Sequence, residues 1–249
     1  MTTAPTTSSQ EISDIFLPRA ARIERSVKMT ELEQFFEIRL DGNEPLGHLP
    51  GQFVEVSLAG IGEAPISISS SSHKEDGFEL VVRRVGRLTT AMHQLPEGHP
   101  VGIRGPFGTS FPVGGPMKGK DVLFISGGIG LVPLRSAIHH VLNNRGDYGK
   151  VTILFGAKTP AERLFTDELS QWEERDDVVF KQTVDRGDAG WNGNVGVITT
   201  LIPDIEIDPA NTIAVVCGPP VMYKFVLAEL FGRDMSSENI YLSLERHMK

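Results

Sequence analysis

The chain holds a single cysteine, Cys217, in 249 residues. That excludes an intramolecular disulfide, and it excludes any metal or iron–sulfur site built from several cysteines of this chain alone. Such sparing use of cysteine points to a reducing cytoplasm. Positive charge is not in excess either: 24 Lys and Arg face 32 Asp and Glu, a formal net charge of −8. No basic cluster stands out, so neither nucleic acid nor an anionic membrane surface is an expected partner. No apolar run approaches the roughly 18 residues that would suggest a membrane span. The Ser/Thr-rich first ten residues have no basic start and no apolar stretch, and so do not read as a signal peptide. Histidines at zinc-type spacing are missing, and His139 and His140 read as surface positions of a helix. What remains is a composition 40% hydrophobic and 22% charged, enough for a globular protein with a real core in one or two domains.

The chain changes character near residue 115. Residues 1–18 read as a flexible tail. Residues 19–112 hold short runs separated by turn signals, with strands expected at 35–40, 53–58, 66–70, 78–84 and 100–104. Phe36, Ile38 and Leu40 would share one face of a strand and Glu37 and Arg39 the other. One short helix is expected at 89–95. This half reads as a small antiparallel barrel or sandwich. Residues 113–119, rich in glycine and proline, form a hinge by composition. Residues 120–249 then alternate: strands at 121–126, 151–155, 178–183, 212–217 and 240–244, with helix-like spacing of Leu131, Leu134, Ile138 and Val141 and of Phe165, Leu169 and Trp172. Strand–helix alternation implies an α/β doubly wound parallel sheet.

The first strand of the second half runs directly into Ser126-Gly-Gly-Ile-Gly-Leu-Val-Pro133, which contains Gly128-x-Gly130-x-x-Pro133. Small residues let the backbone turn tightly beside a phosphate, and a helix N-terminus offers N–H groups and a positive dipole end to the anion. Pro133 suits a first helical turn. Gly127, Gly128, Ile129, Gly130 and Pro133 are therefore candidate dinucleotide contacts. At a later strand end stands Cys217-Gly-Pro-Pro220, followed by a helix from near Val221 that carries Met222. Ligands of open parallel sheets sit at the carboxyl ends of strands. Gly218 and Pro219 would let a ring lie close to the backbone, while Cys217 taken alone reads as a small buried hydrophobe. Where an NAD site often has an acid after the second strand, this chain has Lys158, with Arg163 nearby. Either could meet a 2′-phosphate or be a solvated surface charge.

In the first half, Ala64-Pro-Ile-Ser67 opens a strand-like run ending in four serines, Ser69 to Ser72. Pro65 fits an edge strand, and a serine hydroxyl there could bond a flat heterocycle or merely end a turn-rich strand. Val82-Arg-Arg-Val-Gly86 precedes Arg87-Leu-Thr-Thr90, with Thr89 as the expected N-cap. Arginines, then glycine, then a helix start make a second potential diphosphate cradle.

Together the segments Pro50-Gly-Gln-Phe53, Gly62 to Ser67, Gly105-Pro-Phe-Gly108, Gly127 to Gly130, Cys217 to Pro220 and Ser243 to Lys249 resemble the ferredoxin–NADP reductase superfamily. Within it the chain is most similar to the gamma subunit of sulfhydrogenases and cytosolic nickel–iron hydrogenases. It is also similar to the corresponding subunit of anaerobic sulfite reductase and to the electron-transfer subunit of dihydroorotate dehydrogenase. The resemblance implies an N-terminal flavin-binding antiparallel β-barrel followed by a nicotinamide-binding α/β sheet. It implies FAD as cofactor, NAD or NADP as substrate, and hydride transfer between nicotinamide C4 and flavin N5. By the resemblance Ser67 contacts the flavin and Cys217 lies beside the nicotinamide ring. Ala64, Pro65, Ile66, Val82, Arg83, Arg84, Gly86, Thr89, Thr90 and Ala91 line the FAD. Gly127 to Gly130, Pro133, Lys158, Gly218, Pro219 and Met222 line the nicotinamide dinucleotide. The implied partners are iron–sulfur and hydrogenase-type subunits of a larger redox complex. The rival readings are a flavin subunit serving dihydroorotate or sulfite chemistry, and a nucleotide-binding redox sensor without turnover. Two departures stand out. The superfamily's arginine and tyrosine before the flavin serine are Ala64 and Ile66 here. Longer relatives continue past the Ser243 to Lys249 segment into a cysteine-rich loop that holds a 2Fe–2S cluster, and this chain has no ligands for one.

Overall fold

The computed structural model describes residues 16–244. The tail expected at 1–18 lies mostly outside the described residues, as does the Ser243 to Lys249 motif beyond Leu244.

The first half forms a six-stranded antiparallel sheet in the order β4-β3-β6-β1-β2-β5. Its strands are β1 (Arg19–Lys28), β2 (Glu33–Leu40), β3 (Phe53–Leu58), β4 (Gly62–Ser67), β5 (Phe78–Arg83) and β6 (Pro100–Phe107). The two edges meet where Ile68 bridges Leu80, so the sheet curls towards a barrel around Ile23, Phe36, Ile38, Val54, Val56, Phe78, Leu80 and Ile103. The alternation read from Phe36, Ile38 and Leu40 is realised, since all three point into this core.

β1 was not expected from the sequence. Only Ala21 and Ile23 of its ten residues are buried, and the rest is largely charged. Its place between β2 and β6 comes from pairing on both sides, which a local pattern does not record. β4 spans Gly62–Ser67, where the serine pattern suggests 66–70. As an edge strand it tolerates the missing N–H of Pro65. The serines that follow form a loop. Helix α1 covers Arg87–Met92, and its N-cap is Gly86. Thr89 is therefore not the cap: it stands in the first turn and folds its hydroxyl back to accept from the N–H groups of Val85 and Gly86 at 3.0 and 2.9 Å.

The second half is a parallel sheet in the order β10-β9-β8-β7-β11-β12. It comprises β7 (Asp121–Gly127), β8 (Val151–Ala157), β9 (Val178–Val184), β10 (Asn194–Val195), β11 (Thr212–Cys217) and β12 (Ile240–Leu242). Alternate residues of its strands feed two cores. Val122, Phe124, Ile153, Phe155 and Val215 pack with helices α2 (Leu131–Asn143) and α3 (Thr166–Glu173). Leu123, Ile125, Leu154 and Val216 pack with helix α4 (Pro220–Phe231) and the turn Ile198–Asp204. The sheet is thus covered on both faces, as a parallel sheet requires. Between the two sheets Val113 and Met117 sink into the first of these cores. The Tyr148 hydroxyl donates to the Val113 carbonyl at 2.8 Å.

Candidate functional site

From β7 the chain winds outward through β8 and β9, then returns to β11 on the other side of β7. The crevice at the carboxyl ends of β7 and β11 is the switch point where open α/β sheets bind ligands. Two glycine turns meet there almost backbone to backbone. A Cβ on Gly130 would lie 2.3 Å from the Cys217 carbonyl oxygen and 2.7 Å from the Gly218 nitrogen. A Cβ on Gly127 would lie 2.6 Å from the Met222 sulfur, and one on Gly218 would lie 2.5 Å from the Met222 methyl. Only glycine fits at Gly130, whose neighbours are backbone, whereas a side chain at Gly127 or Gly218 would have to displace the flexible end of Met222. Gly128 differs: it adopts φ +55 and faces open space. The turn is therefore packed on its inner side and open at its tip, the shape required of a loop that admits a dinucleotide diphosphate. Gly130 leads straight into α2, with Pro133 in the first turn of the helix. Below the second turn, the Tyr223 hydroxyl accepts from Gly218 N–H at 3.2 Å and donates to the Ser243 carbonyl at 2.5 Å. Cys217 is 3% exposed, its side chain in the core between the sheet and α2. Ile129 is half-buried and Pro219 exposed.

The first-half residues approach through the end of β4. Ser67 pairs with Phe53 and is half-buried. Its hydroxyl forms no hydrogen bond among the described residues, unlike the serines that follow. Ser69 Oγ donates to the Glu79 carbonyl, Ser70 Oγ accepts from Glu79 N–H, and Ser71 Oγ accepts from His73 N–H. Ala64 and Ile66 lean on the barrel core, while Pro65 points to solvent. Val82 is buried in the barrel. Arg83 is already matched, its Nε donating to the buried Glu33 at 2.5 Å, and Glu33 is also bonded by Thr30. Arg84, Gly86 and Thr90 are exposed beside the start of α1, and Ala91 is half-buried. Lys158 is exposed just past β8. Arg163 is held by Gln182 at 3.1 Å and lies 4.7 Å over the Trp191 ring.

Several residues that join these parts were invisible in the sequence. Arg135, on α2, is 7% exposed. Its guanidinium donates to the Ser69 carbonyl at 3.0 Å and Glu79 at 2.6 Å in the first half. It also donates to Glu168 on α3 at 2.6–3.1 Å and covers the Phe165 ring at 4.4 Å. Burial pushes the Glu168 carboxyl up, but hydrogen bonds from His139 and Arg135 outweigh it and hold the group at about 2. Burial lowers the Arg135 affinity for its proton, and the Glu168 and Glu79 carboxylates more than restore it. His139 is thus a partner of Glu168 at 3.2 Å, and His140 lies against His73 with ring centres 5.4 Å apart. Arg87 reaches the Gly60 carbonyl at 3.3 Å, tying α1 to the hairpin before β4. The one available hint was a lone arginine on a helix face otherwise made of Leu131, Val132, Leu134 and Ile138.

Comparison with known proteins agrees with this layout. Residues 20–111 match the oxidoreductase FAD-binding domain family and residues 124–228 the oxidoreductase NAD-binding domain family. The chain is 39% identical over 227 residues to sulfhydrogenase 1 subunit gamma of Pyrococcus furiosus, covering 89% of this chain and 77% of that one. It is 33% identical to the probable dihydroorotate dehydrogenase B (NAD(+)), electron transfer subunit, of Methanothermobacter thermautotrophicus, covering 94% of this chain and 79% of that one. The cytochrome b5 reductase domain of Ulva prolifera nitrate reductase shares the fold, with a TM-score of 0.75 at 23% identity over 90% of this chain and 97% of that chain. The chain belongs to the ferredoxin reductase-like family of FAD- and NAD-binding oxidoreductases that includes the sulfhydrogenase gamma subunits. It is a flavin-dependent oxidoreductase with one domain for each dinucleotide. Among the described residues no helix is long and apolar enough to cross a membrane, and no cluster of three metal-ligating side chains occurs.

Proposed function

We propose that this chain is the NAD(P)H-oxidising subunit of a cytoplasmic redox complex, passing electrons from a nicotinamide dinucleotide to iron–sulfur centres on partner subunits. The nearest chemistry is that of a hydrogenase-type complex. FAD, when bound, supplies the ring that accepts hydride from the nicotinamide. The chain's own residues bind, orient and exclude water. Residues 19–112 hold the FAD and residues 120–249 the nicotinamide dinucleotide, joined through 113–119. Gly127 to Gly130, Pro133 and the start of α2 cradle the nicotinamide diphosphate. Gly218, Pro219 and Met222 would bound the nicotinamide beside Cys217, and Lys158, exposed just past β8, would meet a 2′-phosphate. Arg84, Gly86, Thr90 and Ala91 hold the FAD diphosphate, with Val82, Arg83 and Thr89 fixing their backbone. The β4 backbone at Ala64, Pro65 and Ile66 would line the flavin, and the Ser67 hydroxyl would donate a hydrogen bond to it.

The observation that carries this reading is the unpartnered Ser67 hydroxyl at the end of β4, in a run whose next three serines are all engaged. Ser67→Ala tests it. The variant should retain FAD while its reduction by NADH or NADPH slows about tenfold, the worth of one hydrogen bond of about 1.4 kcal/mol. An unchanged rate would remove Ser67 from the site. The similarity to a dihydroorotate dehydrogenase electron transfer subunit supports a second reading, in which the partner oxidises dihydroorotate. The subunits that co-purify with the native chain distinguish the two.

A further inference from the structure

One face of α2 is given over to the first half of the molecule. Arg135 takes the Ser69 carbonyl and Glu79. The Ser136 hydroxyl accepts from Gly51 N–H at 3.1 Å, His140 lies against His73, and Asn143 donates to Ser71 Oγ at 3.4 Å. These positions fall within one side of a helix of 3.6 residues per turn. Their partners are concentrated in the serine loop that leaves β4 two residues after Ser67. The same helix begins at the glycine turn, and Arg135 stands only about 6 Å along the axis from Leu131. A short covalent and hydrogen-bonded path therefore runs from Ser67 through Ser69, Arg135 and the first turn of α2 to Gly130, which abuts the Cys217 carbonyl. Arg135 cannot shift along this path. Nε and Nη2 are held by Glu168, Nη1 by the first half, and its flat face by Phe165. A lysine has three donors on one compact ammonium but not the planar fork that pairs bidentately with Glu168 while the far nitrogen holds Ser69 and Glu79.

We infer that Arg135 is a positioning residue: it locks the glycine turn of the second domain to the serine loop of the first and so sets the gap between the two dinucleotide rings. This rests on the proposed function. Arg135 touches neither ligand and acts through Ser69 and α2. A misplacement of about 1 Å at reacting atoms costs on the order of 100-fold in rate, so loosening the lock should slow hydride transfer without emptying either site.

The test uses the FAD-loaded chain with Arg135→Lys and the milder Glu79→Gln, which leaves the Arg135–Glu168 pair in place. Three quantities are read. FAD content and the NAD+ dissociation constant should stay within about twofold of wild type. Hydride transfer from NADH should fall on the order of 100-fold for Arg135→Lys and about tenfold for Glu79→Gln. The long-wavelength charge-transfer absorbance that stacked rings give when NAD+ is added to the chemically reduced protein should weaken in step. Amide hydrogen exchange, measured on the same FAD-loaded chain, should rise at 69–73 and at 128–135 in both variants. An undiminished band and rate in Glu79→Gln would overturn the inference, as would unchanged exchange in the two segments. Wild-type protein that binds NAD+ yet shows neither bleaching nor the band would refute the functional reading, while the exchange measurement would still decide whether Arg135 locks the two segments together.

Discussion

Replacing Gly130 with alanine isolates the contact between the two glycine turns. Gly130 has φ −61 and ψ −15, ordinary right-handed helical values, so an alanine there suffers no backbone strain. In an open helix the change would stabilise by about 1 kcal/mol. Here the new methyl would sit 2.3 Å from the Cys217 carbonyl oxygen, 2.5 Å from its carbon and 2.7 Å from the Gly218 nitrogen. All three are backbone atoms at the end of a buried strand, so none can rotate away. Relief requires α2 to move from β11 by roughly 1 Å. Overpacking of this kind costs about 1–3 kcal/mol, which leaves a net loss of up to about 2 kcal/mol, several degrees of melting temperature for a chain of this size. On the proposed function the activity loss should be larger, because the same 1 Å displaces the Gly127 to Gly130 turn relative to the Cys217 turn and should cost on the order of 100-fold in flavin reduction. Thermal melts and stopped-flow bleaching by NADH measure both. Gly128→Ala is the control. It adds strain at φ +55 but meets no atoms within 4 Å, so it should cost about 1 kcal/mol in stability without moving the helix. A Gly130→Ala protein with wild-type stability and rate would show that the turns do not press on each other as described.

Three further outcomes follow from the same geometry. Glu168 is held at about 2 against an ordinary 4.5. A carboxyl depressed in the folded state stabilises it above the unfolded value, so about 3 kcal/mol should be present at pH 5 and lost as pH falls towards 2. Glu168→Gln should weaken the protein at pH 7 and flatten that acid limb in urea melts, and parallel curves would remove the Arg135–Glu168–His139 cluster from the account. Cys217→Ala should keep FAD and slow its reduction by the nicotinamide at saturating nucleotide, whereas an unchanged rate would leave the buried thiol as packing alone. Acid release from the 249-residue chain should yield FAD and not FMN, and metal analysis should find no stoichiometric iron, because a cluster needs several thiolates and the sequence has one. About two irons per chain would require ligands of another kind.

The parts of the site that were legible in the sequence are those written in adjacent residues. The glycine turn after β7 and the Cys217 turn after β11 could be placed because each combines an apolar strand, small residues and a helix start within a dozen positions. The change from antiparallel to parallel sheet was legible for the same reason, through a change in local period. What escaped was set by partners far along the chain. β1 is a strand because β2 and β6 flank it, with little apolar pattern of its own. Nothing near Arg83 in the sequence shows that its Nε is held by Glu33, fifty residues away. The cap of α1 lies at Gly86 rather than Thr89, because the Thr89 hydroxyl reaches back to the N–H groups of Val85 and Gly86 ahead of the helix instead of to N–H groups further along it. Arg135 joins segments 56 and 66 residues apart, and no window along the sequence contains that information.

The most direct test of the account is anaerobic mixing of the purified, FAD-loaded chain with NADH and, separately, NADPH while the flavin absorbance near its visible maximum is followed. A chain that oxidises a nicotinamide at its domain junction should bleach fully with at least one of the two, at a rate that saturates with nucleotide. Flavin that stays yellow with both nucleotides, in protein shown to bind them, would contradict it.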